Sequence, residues 1–172
     1  MRRIYALVPL LLAACVTPAA TQDQPPLYVR HAMQAEVNPA IVAIWDVTNN
    51  AIGDDGALDA SLITPASWDA IATAAGALAT ASDHMAAASD IRAAAPGNMA
   101  TDEFEVPMAQ VQTYLDADPQ GFRDLSAAFA TLSRRLESAA RARDSAATAA
   151  LVEQMDTQCS TCHTRYWYAE AQ

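Results

Sequence analysis

The chain has 172 residues, of which 52% are hydrophobic and 17% charged, and its formal net charge at pH 7 is -10. This length predicts a single domain with one hydrophobic core. The phosphate backbone of a nucleic acid would repel a chain this acidic, so nucleic-acid binding is excluded as a function. A charged protein partner is instead expected to present a basic surface.

The first 14 residues have the features of an export signal. Two arginines open the segment, and an apolar run follows over residues 4–12. This run is too short to cross a membrane as a helix, and small residues follow it, as they do at signal cleavage sites. Residues 12–15 read L-A-A-C and resemble the lipobox of bacterial lipoproteins, which implies cleavage before Cys15 and acylation of that cysteine.

Lipid attachment also explains why Cys15 is present. Ordinary signal cleavage, the alternative, would leave it as a free thiol in an exported protein, so the lipoprotein is favoured. Residues 15–26 are small, polar and proline-containing, which is typical of a flexible tether. The sequence therefore predicts a lipid-anchored, periplasmic protein of a bacterial membrane, with its folded domain over 27–172.

Apolar residues in this domain repeat every three or four positions, which predicts helices rather than strands. The first helix is expected over 27–50, where Pro39 should kink it or end a sub-helix. The second is expected over 65–95, with Thr64 as its N-cap and Pro96-Gly97 as its stop.

The third and fourth helices also begin at recognisable caps. Asp118 precedes a proline, and Asp144 is the candidate cap of the last helix. Residues 49–63 and 96–118 are predicted loops, and the second should contain a short helix near 108–115 because structureless loops of that length are unusual. Four main helices with stripes of this spacing predict an all-α, antiparallel four-helix bundle.

Residues 159–163 read C-S-T-C-H, the C-x-x-C-H spacing of covalent haem c attachment. On a helix Cys159 and Cys162 share one face, so both thiols can form thioethers with the vinyl groups of one porphyrin. His163 follows directly and can ligate the iron. The sequence therefore predicts one covalently bound haem c.

Two other uses of a C-x-x-C pair are less consistent with the chain. A zinc site needs two further ligands, and the only other histidines are His31 and His84, which lie off the apolar stripes. A redox dithiol of the thioredoxin type should accompany a βαβ pattern, which the sequence does not predict. With Cys15 assigned to lipid and two cysteines to haem, each of the 3 Cys has its own role.

An exported helical domain that ends in C-x-x-C-H resembles the cytochrome c-prime and cytochrome c556 family. The first helix adds a weaker match at Arg30, Met33, Pro39 and Trp45. In c556-like proteins a first-helix methionine ligates iron opposite the histidine, which implies Met33 here, whereas c-prime proteins leave that position open. A first-helix arginine pairs with a haem propionate in related proteins. This implies Arg30 as a cofactor-binding residue, with a solvated or carboxylate-paired side chain as the alternative.

The thioether of Met33 is a soft ligand that suits haem iron, and its stripe neighbours indicate that it faces the core. The alternatives are that Met33 only fills the core and that Met85 of the second helix is the ligand. Met155, one turn before Cys159, is expected to pack on the ring. Aromatic residues are expected in the core and the pocket walls: Trp45, Trp68, Phe122, Phe129 and Tyr166. Trp167 and Tyr168 are expected to shield the end of the last helix.

The resemblance implies electron transfer with redox partner proteins at a membrane surface. A second hypothesis is a five-coordinate haem that binds nitric oxide or carbon monoxide, and a third is a haem-free structural lipoprotein. No acid–base pair or nucleophile stands out, so an enzyme is not predicted. Because related bundles often dimerise, monomer and homodimer are both compatible with the sequence.

Overall fold

The computed structural model describes residues 24–101 and 106–168, and within these ranges the chain is mostly helical. The elements in chain order are β1 (Leu27–Tyr28), α1 (Val29–Ala32), a π-helical turn (Met33–Val37), α2 (Asn38–Thr48), α3 (Pro65–Ala87), β2 (Ile91–Arg92), α4 (Met108–Ala117), α5 (Pro119–Ala142) and α6 (Ser145–Tyr166). The predicted all-α class is confirmed. The expected signal and Cys15 lie outside the described residues.

Three of the long helices begin at the caps that the sequence predicts. In each case a side-chain oxygen accepts a hydrogen bond from the backbone N–H three residues ahead, at 2.9–3.1 Å. These N-caps are Thr64 for α3, Asp118 for α5 and Asp144 for α6. Such a cap satisfies one of the N–H groups that a helix leaves unpaired at its start.

The predicted end of α3 at residue 95 is wrong, because the helix stops at Ala87. The following segment forms β2, which pairs in parallel with β1. The N–H of Leu27 donates to the carbonyl of Asp90 at 2.9 Å, and Gln112 of α4 accepts from the N–H of Ala93 at 2.8 Å. These long-range bonds replace the helical bonds of an alanine-rich segment, a case in which tertiary contacts override helix propensity.

The short helix expected in the second loop is confirmed as α4, Met108–Ala117. The first loop is more ordered than predicted. It contains two 3-10 turns, Asn49–Ala51 and Ala60–Leu62, and an antiparallel bridge between Ile52 and Leu58. Backbone hydrogen bonds across the base of a loop satisfy groups that would otherwise depend on water.

The most extensive helix packing joins α3 to α5, and further contacts join α5 to α6 and α2 to α3. Large apolar side chains fill these contacts, including Ile44, Ile71, Leu78, Phe122 and Leu136, each less than 2% exposed. Burial of each such side chain stabilises the fold by about 1.5–3 kcal/mol. Among the described residues, no helix combines the length and apolar character needed to cross a membrane.

Two buried serines on these helices differ in one respect. Ser82 of α3 and Ser133 of α5 are both 0% exposed. The Oγ of Ser133 donates to the carbonyl of Phe129 at 2.8 Å, whereas the Oγ of Ser82 has no hydrogen-bond partner among the described residues. A buried hydroxyl without a partner destabilises a folded protein because it has lost its bonds to water.

Replacement of Ser82 by alanine is therefore expected to raise the free energy of unfolding by about 1 kcal/mol. Ser133→Ala is the matched control, and it should give no such gain because it removes a satisfied hydrogen bond. Urea unfolding of both variants and the parent protein measures the difference. Equal changes in the two variants would contradict the assignment of Ser82 as unsatisfied.

Candidate functional site

A cavity of about 340 Å³ is lined by the first helical stretch (residues 29–48, that is α1, the π-helical turn and α2), α3, α5 and the end of α6. This volume lies within the range of about 300–1,000 Å³ that is usual for ligand pockets. Apolar side chains dominate the lining, which consists of Met33, Gln34, Val37, Asn38, Ile41, Trp45, Met85, Phe122, Leu125, Ser126, Phe129, Gln158, Cys159, Cys162, His163 and Trp167. The cavity is thus an apolar site with a small number of polar groups.

The three chemically distinctive residues of the C-x-x-C-H motif all line this cavity. They lie in the last turns of α6, where residues three apart share one helix face. Cys159 and Cys162 are half-buried free thiols. His163 is partly exposed to solvent while its side chain also borders the cavity. The helix therefore brings both thiols and the imidazole to one apolar space.

The cavity environment favours the neutral forms of these groups. Burial raises the pKa of the Cys159 thiol, and the nearby carboxylate of Asp156 raises it further. Burial raises the pKa of Cys162 to about 11, with a smaller contribution from Cys159. Burial also lowers the pKa of His163, which favours the neutral imidazole. A neutral imidazole retains the lone pair that binds a metal.

The start of α5 contacts the end of α6, and this contact fixes the position of the motif. Tyr166 is 4% exposed, and its hydroxyl donates to the carbonyl oxygen of Asp118 at 2.9 Å. Arg165 pairs with the Asp118 carboxylate, and the ring of Phe122 meets that of Tyr166 edge to face at 5.7 Å. A Cβ on Gly121 would meet the Asp118 carboxylate and lie 2.8 Å from the Tyr166 hydroxyl, so glycine at this position lets both groups approach the helix closely.

The two residues after α6 lie beside the end of the site. Trp167 lines the cavity. The ring of Tyr168 meets the imidazole of His163 at 6.1 Å between centroids, with the rings steeply inclined. The backbone N–H groups of Trp167 and Tyr168 both donate to the carbonyl of His163 at 2.8 Å. These contacts hold the histidine at the edge of the cavity.

Both candidate methionines line the same cavity as His163. Met33 is half-buried in the π-helical turn, and Met85 is 3% exposed in α3. Met155, expected to pack on a ring, is also 3% exposed but lies in the core, outside the lining. Two thioethers are thus near the histidine, and the choice of Met33 as iron ligand stays a prediction.

Arg30 does not contribute to the described lining. Its guanidinium donates to the backbone carbonyls of Asn98 and Ala100, in the segment that follows β2. Pairing of Arg30 with a propionate therefore stays a prediction. His31 and His84 are exposed, as expected of residues off the apolar stripes.

The predicted aromatic residues divide into two groups. Trp45, Phe122 and Phe129 line the cavity, and the Trp45 side chain is also 39% exposed. Trp68 and Tyr166 are buried in the core outside the lining. The walls of the site therefore come from the first helical stretch and the first half of α5.

Four polar residues of the lining were not predicted from the sequence: Gln34, Asn38, Ser126 and Gln158. A search for apolar stripes passes over glutamine and asparagine, and the π-helical turn moves Gln34 and Asn38 relative to the stripe. Gln158 had a usable signal, because it directly precedes Cys159 on the same helix. Its side-chain amide lies 3.5 Å from the carbonyl of Leu125.

The lining contains the kinds of donor that a haem takes from a protein. Among residues 24–101 and 106–168, no group of three or more His, Cys, Asp or Glu side chains could hold a metal ion. A haem iron needs only one or two axial ligands from the protein, such as histidine and methionine. The cavity offers those ligands, two thiols for covalent attachment and apolar walls.

Comparisons with known protein families, with curated proteins and with solved structures find no match to this chain. The resemblance to the cytochrome c-prime and c556 family therefore rests on the C-x-x-C-H motif and on the weaker first-helix match alone. The function is inferred from the residues that line the cavity.

In the haem-free chain, the raised pKa values predict slow alkylation of the two motif thiols. The thiolate is the reactive form, and a shift of the Cys162 pKa from 9.0 to about 11 lowers its thiolate fraction at pH 8 by about a hundredfold. Mass spectrometry of iodoacetamide labelling between pH 7 and pH 10 measures the rate at each cysteine. The same chain in guanidinium is the control, and equal rates in both conditions would contradict the burial of the thiols.

Proposed function

We propose that the protein is a c-type cytochrome related to the c-prime and c556 family, which carries one haem c for electron transfer at a membrane surface. The observation that supports this best is the shared cavity: Cys159, Cys162 and His163 line it together with Met33. An isolated C-x-x-C-H sequence has other uses, but few of them need an apolar pocket of ligand size beside the motif.

In this proposal Cys159 and Cys162 attach the porphyrin through thioethers, and His163 is the proximal ligand. Their place on one face of α6 suits two bonds to a single ring. The neutral imidazole is the form that ligates iron, in agreement with the lowered pKa of His163. The ring of Tyr168 contacts the imidazole of His163, and the hydrogen bonds to the backbone carbonyl of His163 hold its backbone in place.

Met33 supplies the distal ligand in this proposal, and the apolar lining sets the electronic properties of the site. Haem c supplies an iron that accepts and releases one electron. Methionine as an axial ligand raises the reduction potential of such an iron, and low exposure to water does so as well. Ligands held on both faces by helices would change little between the two oxidation states.

The corresponding architecture is an antiparallel four-helix bundle, formed by the first helical stretch with α3, α5 and α6. Support comes from the contacts of α3 with α5, α5 with α6 and α2 with α3. The connection between α5 and α6 consists of only residues 143–144, which suits antiparallel neighbours. The haem would lie between the first and last helices, where the cavity is lined by both.

The proposed location follows from the N-terminal sequence. Lipid on Cys15 would hold the domain at the periplasmic face of a bacterial membrane, through the tether of residues 15–26. Multiple acyl chains hold a protein at a membrane far better than one. Redox proteins of that membrane are the proposed partners.

The central test compares Met33→Ala with Met85→Ala in protein expressed with the haem-attachment machinery. If Met33 is the ligand, Met33→Ala should lose the weak thioether-to-iron absorption band and gain carbon monoxide binding in the ferrous state. Met85→Ala is the matched control, because it removes a thioether from the same cavity, and it should keep the band.

His163→Ala should retain the haem but lose the native low-spin spectrum.

A haem stain on a denaturing gel distinguishes the alternatives, because thioether-linked haem survives denaturation. No stain in the parent protein would refute the haem assignment and favour a structural lipoprotein. A high-spin parent that already binds carbon monoxide would favour gas binding over electron transfer. A band lost only in Met85→Ala would reassign the distal ligand to Met85.

The lipid anchor has its own test. Cys15→Ser should move the protein from the membrane fraction to the soluble exported fraction, because serine offers no thiol for acylation. Fractionation of cells with haem staining measures this without any assay of activity. Continued retention of the variant in the membrane fraction would argue against the anchor.

A further inference from the structure

The first helical stretch changes its winding where it borders the cavity. Between α1 and α2, residues Met33–Val37 form a π-helical turn. The N–H of Asn38 donates to the carbonyl of Met33, five residues earlier, in place of the four of an α-helix. Such turns are rare and occur often at functional sites.

Pro39 explains why the turn forms at this place. A proline has no N–H to donate to the carbonyl of Ala35, four residues earlier, and its ring would clash with that carbonyl in a regular α-helix. The wider π-helical turn avoids both problems. Pro39 then follows the π-helical turn as the second residue of α2, and the N–H of Asn38 before it bonds to the carbonyl of Met33.

The turn also changes which side chains face the cavity. In an uninterrupted α-helix each residue advances by about 100°, so Gln34, seven residues before Ile41, would point within about 20° of Ile41. Met33 would point about 80° away. A π-helical turn contains one extra residue, which moves Met33 into the direction that Gln34 would otherwise take.

Burial in the structure agrees with this shifted phase. Ile41 is 7% exposed and lines the cavity. Met33 is half-buried and packs against the core, whereas Gln34 is exposed at the edge of the same cavity. The thioether, and not the amide, therefore occupies the inner position.

We propose that Pro39 is a positioning residue: through the π-helical turn it sets the helix phase that directs Met33, rather than Gln34, into the cavity. This inference rests on the proposed function in so far as Met33 ligates haem iron. The role of Pro39 lies in the direction of the Met33 side chain. A proline that does not contact the iron would thus determine which residue can ligate it.

The experiment uses the full-length haem protein. In Pro39→Ala the new N–H can bond to the carbonyl of Ala35, so the helix should become regular and turn Met33 away. The thioether-to-iron band should be lost and carbon monoxide binding gained, with haem staining unchanged. Pro65→Ala, at the start of α3, is the control and should keep the band.

A rescue variant distinguishes a changed direction of the Met33 side chain from general disruption of the fold. Deletion of Ala35 in the Pro39→Ala chain removes the extra residue, so a regular α-helix again directs Met33 inward and the band should return. If the deletion variant does not fold by circular dichroism, Pro39→Ala with Met33→Gln and Gln34→Met serves the same purpose. It places the thioether where a regular helix points inward.

The outcomes separate this inference from the proposed function. Absence of haem staining in the parent protein overturns the function. A normal parent spectrum that persists in Pro39→Ala, or a band that neither rescue restores, overturns the role of Pro39 and leaves the cytochrome assignment intact. A band that survives Met33→Ala overturns the ligand assignment and this inference together.

Discussion

The apolar cavity between the first helical stretch and α6 is the feature on which the other structural arrangements depend. Protein interiors are close-packed, so a space of about 340 Å³ must be kept open by rigid surroundings. The packing of α3 on α5 provides one rigid wall. The contact of Tyr166 with Asp118 and Phe122 provides another, because it holds the end of α6 on the start of α5.

The charged side chains of the described residues lie away from this cavity. The chain has 20 Asp and Glu residues, yet none of these and no arginine belongs to the described lining. A charged side chain at such a site would have to lose its hydration, which costs several kcal/mol. The groups that can titrate there, two thiols and one imidazole, are shifted towards their neutral forms by burial. The site thus suits a large apolar group that contains a metal, since its walls offer sulfur and imidazole nitrogen atoms as ligands.

Three prolines show how the same residue acts differently in different surroundings. Pro65 and Pro119 each begin a helix directly after a capping side chain, so their missing N–H has no consequence. Pro39 has helix on both sides, and the chain accommodates it with a π-helical turn. Departures from local rules tend to lie at functional sites, and this one borders the cavity.

Local patterns in the sequence were sufficient for the starts of α3, α5 and α6, the helical class and the C-x-x-C-H motif, whereas the first helix begins at Val29 because residues 27–28 form β1 instead. Capping by Thr64, Asp118 and Asp144 and the spacing within residues 159–163 depend on neighbours a few positions away, so they can be read from the chain alone. The early end of α3 was not predictable in this way, because it follows from bonds between β1, β2 and the distant Gln112. The stripe spacing predicted that Met33 faces the core, as it does, but not the π-helical turn that sets its direction. Pro39 predicts a disturbance of the helix, but the tertiary packing determines whether the chain kinks, stops or forms a π-helical turn. That choice depends on which side chains the neighbouring helices can bury, and those helices lie far away in the sequence.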